Sequence, residues 1–335
     1  MGTSASTAAM FPRARKRSGM YESFYLRAVS PREPLGVWVR HTVQKPPGRR
    51  AHGSLWCTVF DAARGAPFQH KLTSERLHAP DDGWIEVGDA EDQGGWFGPD
   101  GARGACGEAS WLLRSQALEP ELRHLPREWL YRAPLPRTKL TSPAPSAAFS
   151  GQMRLAGRAE IELDAWPGMI GHNWGAEHAE RWIWLHGVGF DGAPEAWLDV
   201  ALGRVMLAGR LTPWVANGAL SLDGRRIGLG GLGARGLQVR EGVDGCTLRL
   251  PGEGGVALHV RASVPAGTAA GWRYGDPDGA SGHDVVNCSI AGLELELEPG
   301  SAGEQSRALH SAHRGVYELG MRERDHGVPI APFGD

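Results

Sequence analysis

GVWVRHTV, residues 36–43, alternates two kinds of side chain. Val37, Val39, His41 and Val43 fall on one side of an extended chain, and Trp38, Arg40 and Thr42 on the other. Successive side chains of a strand point to opposite faces, so this alternation predicts a half-buried β-strand. The neighbouring stretches YESFYLRAV (21–29), SLWCTVF (54–60) and FQHKL (68–72) repeat the same aromatic and β-branched composition between Pro/Gly turns, as short strands do. No window of helical length shows a 3.6-residue apolar period. LEPELRHLPREWLY (118–131) comes nearest, and Pro126 interrupts it.

The same pattern continues to the C-terminus. Residues 134–151, PLPRTKLTSPAPSAAFSG, are rich in proline and small polar residues and read as an extended connection. Beyond them MRLAGRAEIELDAW, EAWLDVALGRVML, GALSLDGRRIGL, VALHVRASV and GVYELGMRER are further strands at the spacing of antiparallel sandwiches or barrels. LELELE (293–298) turns Leu293, Leu295 and Leu297 inward and three glutamates outward. The predicted fold is all-β with few short helices. A disordered tail, 1–19, precedes two consecutive barrel-like β units, 20–150 and 151–335.

Bulk composition narrows the function. A chain of 335 residues with a formal net charge of −2 gives no electrostatic case for nucleic acid or an anionic membrane. Four widely spaced cysteines, Cys57, Cys106, Cys246 and Cys288, form no C-x-x-C pair and read as buried small hydrophobes of a reducing compartment. The basic N-terminus is followed by no apolar run, and no stretch is apolar enough to span a bilayer. The expectation is a cytoplasmic protein with no integral membrane segment, its oligomeric state left open. Thirteen tryptophans suit an apolar cavity or a large β core.

The chemistry-bearing stretch is GHNWGAEHAERWIWLHGVGF, residues 171–190, with three histidines and three tryptophans. His172, His178 and His186 lie six and eight positions apart. Two ligands reach one ion from i and i+4 on a helix or i and i+2 on a strand, so no metal is expected, and no cofactor. RIGLGGLGARG (226–236) matches G-x-G-x-x-G, yet strand-like LQVREG follows where a dinucleotide site requires a helix. It reads as a glycine-rich hairpin. Strand phase puts Trp182, Trp184 and His186 on one face, with Trp197 and Asp199 on one face of the next strand across the turn FDGAPE. A carboxylate is seldom buried without a partner. By spacing alone, a structural salt bridge to Arg181, Arg204 or a histidine is favoured over catalysis.

The opening YESFYLRAV…GVWVRHTV…SLWCTVFDA, the GHNWG element and the closing NCSIAGLELELE…GVYELGMRE resemble the lipocalin-like AttH superfamily. This group includes hydroxyneurosporene synthase, the carotenoid hydratase, and more distantly tocopherol cyclases and fungal Diels–Alderases. The resemblance implies two tandem lipocalin-like barrels and a hydrophobic, isoprenoid or polyketide-like, small-molecule ligand. In the hydratases a His-x-Trp pair and a later Tyr-x-Asp pair are implicated in adding water to a C=C bond. His172, Trp174 and Asp199 match; Trp197 stands in place of the tyrosine, removing its phenolic O–H. The resemblance implies Asp199 as an acid kept neutral by burial, His172 as its partner, and Trp174, Trp182, Trp184, His186 and Trp197 as the substrate wall. Acid-initiated hydration, cyclisation or isomerisation follows from that assignment. A non-catalytic carrier, or a buried polar plug, uses the same residues without turnover.

Overall fold

A computed structural model describes residues 7–14, 19–89, 92–279, 282–301 and 305–333. Among the described residues two large antiparallel sheets carry the chain, with a separate two-stranded ribbon of Met206–Leu207 and Arg210–Leu211. The first has twelve strands, from Met20–Val29 to Ile161–Gly175; the second has ten, from Arg181–Phe190 to Arg307–Met321. Helical structure among the described residues is limited to three short 3-10 turns, at Phe11–Arg13, Glu128–Tyr131 and Glu253–Gly255. The all-β expectation therefore holds. The turn at Glu128–Tyr131 is what becomes of the short-helix candidate. No described helix is long and apolar enough to cross a membrane.

The break expected near residue 150 is not where the sheets part. Thr138–Leu155 is one 18-residue strand of the first sheet, between Ala109–Ala117 and Ile161–Gly175. Its register slips between Thr141 and Ala144 and again between Ala144 and Ala147. Pro143 and Pro145 have no N–H to give a ladder, so the strand bulges there and pairs again beyond them. The sheets divide at residues 176–180, between Ile161–Gly175 and Arg181–Phe190.

GVWVRHTV is buried on both faces, not one. Val37, Val39 and Val43 pack inside the first sheet with Phe24, Leu26 and Leu55. Trp38, on the opposite face, joins Trp56, Trp272 and Tyr274 in the cluster of the second sheet. The face expected to meet water is covered by the other half of the molecule. LELELE alternates as expected over its first four residues, with Leu293 and Leu295 buried and Glu294 and Glu296 exposed, while Leu297 and Glu298 are both half-buried.

Two smaller expectations change. Residues 231–237 connect Arg225–Gly230 to Gln238–Gly242, the two edge strands of the second sheet, whose edges meet at the Leu229–Gly252 bridge, so the glycines span the closure of that sheet and are not a hairpin. Residues 1–6 and 15–18 of the expected tail lie outside the described residues. Residues 7–14 are ordered: Phe11 is buried, and the Met10 and Phe11 backbone N–H groups donate to the Glu22 carboxylate at 2.8 and 2.7 Å.

Candidate functional site

The predicted site residues separate into three buried centres. The first surrounds Asp199. The turn after Phe190 pairs Arg181–Phe190 with Ala193–Arg204 and sets His186 directly opposite Asp199. Both residues are fully buried. The Trp184 indole N–H donates to Asp199 Oδ1 at 3.0 Å, and the Ser142 hydroxyl donates to Oδ2 at 2.5 Å. His124 Nε2 lies 3.4 Å from Oδ2 and 3.2 Å from Ser142 Oγ, while its Nδ1 donates to the Asn217 carbonyl at 3.2 Å. Both His124 nitrogens thus face acceptors, as an imidazolium requires. His186 has the opposite arrangement. Its Nε2–H donates to the Pro145 carbonyl at 2.8 Å, and Nδ1 accepts from the Arg27 guanidinium at 3.1 Å. The proline bulge exposes that carbonyl because the strand ladder does not use it.

These contacts set the charges. Burial raises the pKa of Asp199, but the His124 charge, hydrogen bonds from His124 and Ser142, and His186 together outweigh it, leaving the net below the ordinary carboxylate value. Burial lowers that of His124, and Asp199 reverses the effect, so His124 ends above its ordinary value. Burial and the Arg27 charge push His186 down to about 4. These contacts favour a carboxylate–imidazolium pair beside a neutral histidine. The expectation of a neutral Asp199 acid counted only the dry surroundings, which favour the protonated form; the His124 beside it acts in the opposite sense. Ser142, His124 and Asp199 are also the residue types of a serine-nucleophile triad, arranged unlike one. The serine proton goes to the carboxylate and both histidine nitrogens donate, so no base can take it.

His172 belongs to a second centre and does not meet Asp199. Its Nε2 lies 2.8 Å from Glu22 Oε1, with its ring stacked between Phe24 (4.1 Å) and Trp174 (4.5 Å). This places it with the core of the first sheet, where Glu22 is fully buried and also anchors residues 10 and 11. The phase of YESFYLRAV puts Glu22 on the face of Phe24 and Leu26, a signal by which sequence reading could have found it.

Trp182 belongs to a third centre. Its indole N–H donates to Glu318 Oε1 at 2.9 Å, and Asn287 donates to Oε2 at 3.0 Å. Its ring stacks 5.6 Å from His178, which stacks 4.0 Å from Tyr21 on the other side. Trp197 stands apart from all three, fully buried with the Arg226 guanidinium 5.1 Å from its ring. The predicted wall is therefore not one wall: only Trp184 and His186 share the Asp199 centre.

Between the sheets lies an aromatic layer that the sequence did not single out as a site. Trp272 is 6.3 Å from Trp38 and 5.0 Å from Trp56, and Tyr274 is 5.5 Å from Trp56. The buried Arg40 guanidinium sits 4.0 Å from the Tyr274 ring. The indole N–H groups of Trp38 and Trp272 and the hydroxyl of Thr58, which pairs with Trp38 across the strands, have no hydrogen-bond partner among the described residues. Residues 330–333 strap its edge: Ala331 N–H donates to the Gly271 carbonyl at 2.9 Å, and Phe333 packs 6.1 Å from Trp272. A separate surface cleft of about 480 Å³, at Leu35, Val59, Ile161 and Trp166, shares no residue with these centres.

Comparison with solved structures places this architecture. The chain superposes on CghA, crystallised with Sch210972, with a TM-score of 0.63 at 12% identity, covering 91% of this chain and 89% of CghA. It superposes on a putative AttH of Nitrosomonas europaea with a TM-score of 0.52 at 13% identity, covering 97% and 100%. The fold is lipocalin-like and AttH-type. Two uncharacterised proteins of Mycobacterium tuberculosis, Rv0493c and MT0513, are each 29% identical over 328 residues, covering 94% of this chain and 90% of theirs. No family model matches the chain.

Proposed function

We propose that the protein binds an apolar small molecule bearing an acceptor oxygen, an isoprenoid or polyketide-like ketone by class, in the aromatic layer between its two sheets. One observation carries this reading. Three buried donors, on Trp38, Trp272 and Thr58, lie unpaired in a layer of rings. An unmade buried hydrogen bond costs about 1–3 kcal/mol, and a carbonyl-bearing guest relieves that cost while its body stacks on Trp56 and Tyr274. The likeness to CghA, crystallised with Sch210972, supports a small organic ligand for this fold. The residue 330–333 strap is then the segment that must shift to admit it.

The binding reading is preferred to acid-initiated hydration because Asp199 is held ionised and fully hydrogen-bonded. One observation favours a catalytic version: both ring nitrogens of the buried His124 face acceptors, and Asp199 raises its pKa above the ordinary value. In that version His124, not Asp199, is the acid. The test is tryptophan quenching by β-ionone, an isoprenoid ketone, together with native mass spectrometry of the purified protein for a co-purifying lipid. Trp272→Phe keeps an aromatic ring but loses the N–H and the second ring of the indole, so it should weaken β-ionone binding by about ten-fold or more, at least the equivalent of one hydrogen bond. If quenching is equal in Trp272→Phe, or absent from the wild type with no lipid bound, the proposal is wrong. Incorporation of ¹⁸O from labelled water into an alkene ligand, lost in His124→Gln, would favour the catalytic version.

A further inference from the structure

The third centre holds a feature that ligand binding between the sheets does not use. His178 comes from the crossover at residues 176–180, Asp276 follows the strand Ala270–Gly275, and His283 lies in the strand Gly282–Glu298. All three are buried, and one ligand atom from each lies within 4.8 Å of the others. His178 Nδ1 is 3.0 Å from Asp276 Oδ1, and His283 Nδ1 is 3.7 Å from Asp276 Oδ2. A tetrahedral ion with bonds of about 2.0–2.1 Å holds neighbouring ligand atoms roughly 3.3 Å apart, which these separations bracket.

The second observation is independent of that spacing. His283 is fully buried, and neither of its ring nitrogens has a hydrogen-bond partner among the described residues; His178 Nε2 also has none. Buried polar groups are nearly always satisfied, and one that is not calls for an explanation such as an ion. We infer that His178, Asp276 and His283 form a three-ligand site for a divalent first-row transition ion of the zinc or ferrous class.

The donor set decides the class. Two imidazoles and one carboxylate suit zinc, iron(II) and cobalt(II), whereas magnesium and calcium take oxygen ligands. Coordination through Nδ1 leaves the ring proton of His178 on Nε2, the nitrogen without a hydrogen-bond partner among the described residues. Arg322 is the cation that the ion displaces. Its guanidinium lies 3.6 Å from Asp276 Oδ2 but already bonds Glu180 at 2.8 Å, so it keeps a carboxylate partner. Three protein ligands leave at least one position for water or substrate, beside the Trp182 and Tyr21 rings. Because Tyr21 belongs to the first sheet and Asp276 and His283 to the second, the ion ties the crossover to the second sheet under a ring of the first.

The experiment titrates the chelator-treated full chain with Co²⁺ and Zn²⁺. It reads the visible d–d absorption of cobalt, calorimetric stoichiometry and the long-range ¹H–¹⁵N spectrum of the histidine rings. One equivalent should bind with a micromolar or tighter dissociation constant, shift the ring signals of His178 and His283, and raise Tm. His283→Gln should weaken binding by about 100-fold or more, since loss of a partner behind a ligand already costs about 10–100-fold, and Arg322→Gln should tighten it. His310→Gln, which alters an exposed histidine paired with Asp191, should leave binding unchanged. The inference fails if binding is weaker than millimolar, or if other histidine signals shift instead. It also fails if His283→Gln binds like the wild type. The ring spectrum of the wild type separates these outcomes even where a variant does not fold.

Discussion

Asp199 shows how one neighbour reverses the chemistry of a buried group. Without His124 the carboxyl would be driven toward its neutral form; with it, the pair shares one buried charge separation. Breaking such a pair leaves an uncompensated ion and typically costs about 3–5 kcal/mol. Asp199→Asn should therefore lower stability by about that much, as read by urea unfolding, and bring the His124 pKa below its ordinary value, as read by NMR of its ring. Ser142→Ala removes one hydrogen bond to a charged acceptor and should cost less, about 1.5–3 kcal/mol. A fully stable Asp199→Asn variant would show that the pair contributes nothing. Glu22 is the parallel case in the first sheet. Glu22→Gln should release the hydrogen-exchange protection of the Met10 and Phe11 amides, because its carboxylate accepts from both.

At the scale of elements, the strand Ile161–Gly175 is pressed against Met20–Val29 closely enough that glycine is required. A Cβ on Gly168 would lie 1.9 Å from the Arg27 carbonyl oxygen, a backbone atom that cannot swing aside. Gly168→Ala should therefore cost about 3 kcal/mol, the upper end for overpacking, and should disturb His186 through Arg27. Gly203→Ala is the control, since its Cβ would meet only the Ala179 methyl at 3.5 Å; thermal unfolding of the two variants compares them. The strands themselves were legible in the sequence because period-two alternation is a local property. That alternation put His186 and Asp199 on faces of neighbouring strands, which the register makes direct partners, and turned Leu293 and Leu295 inward. The partners were not legible. His124 sits in a segment that resembled a short helix, Ser142 in one that resembled a linker, and Asp276 lies 98 positions from His178. Proline content signals that a ladder is interrupted, not whether the strand resumes beyond the bulge. Contacts between sheets leave no period in the chain at all, so ligand spacing along the sequence misses a cluster assembled from three separate elements.

Across the whole molecule, buried histidines make stability depend on pH in a calculable direction. Burial pushes His41 down to about 3, and burial with Arg27 pushes His186 down to about 4. An unfolded histidine titrates near 6.5. Between about pH 6.5 and 4 the unfolded chain therefore binds protons that the native protein refuses, and stability falls as pH falls through that window. Each group contributes a slope of about 1.4 kcal/mol per pH unit there. His124, raised by Asp199, acts in the opposite sense: its contribution is complete below the unfolded value and is lost as pH rises through the folded one. Asp199 adds stability that is lost only as pH falls through its own lowered value. Urea midpoints should therefore drop steeply from pH 7 to pH 4.5. His41 gives the cleanest check, because burial dominates its shift over its contact with the Gly95 backbone and it packs edge-on to Phe97 and Trp111 inside the first sheet. His41→Leu removes two desolvated polar atoms at the loss of one contact with the Gly95 backbone, so it should change stability at pH 7 by no more than about 1 kcal/mol. At pH 5 it should be more stable than the wild type by roughly 2 kcal/mol, the 1.4 kcal/mol per unit taken over the distance from 6.5. Equal pH slopes in the two proteins would mean that His41 takes up its proton without unfolding the first sheet.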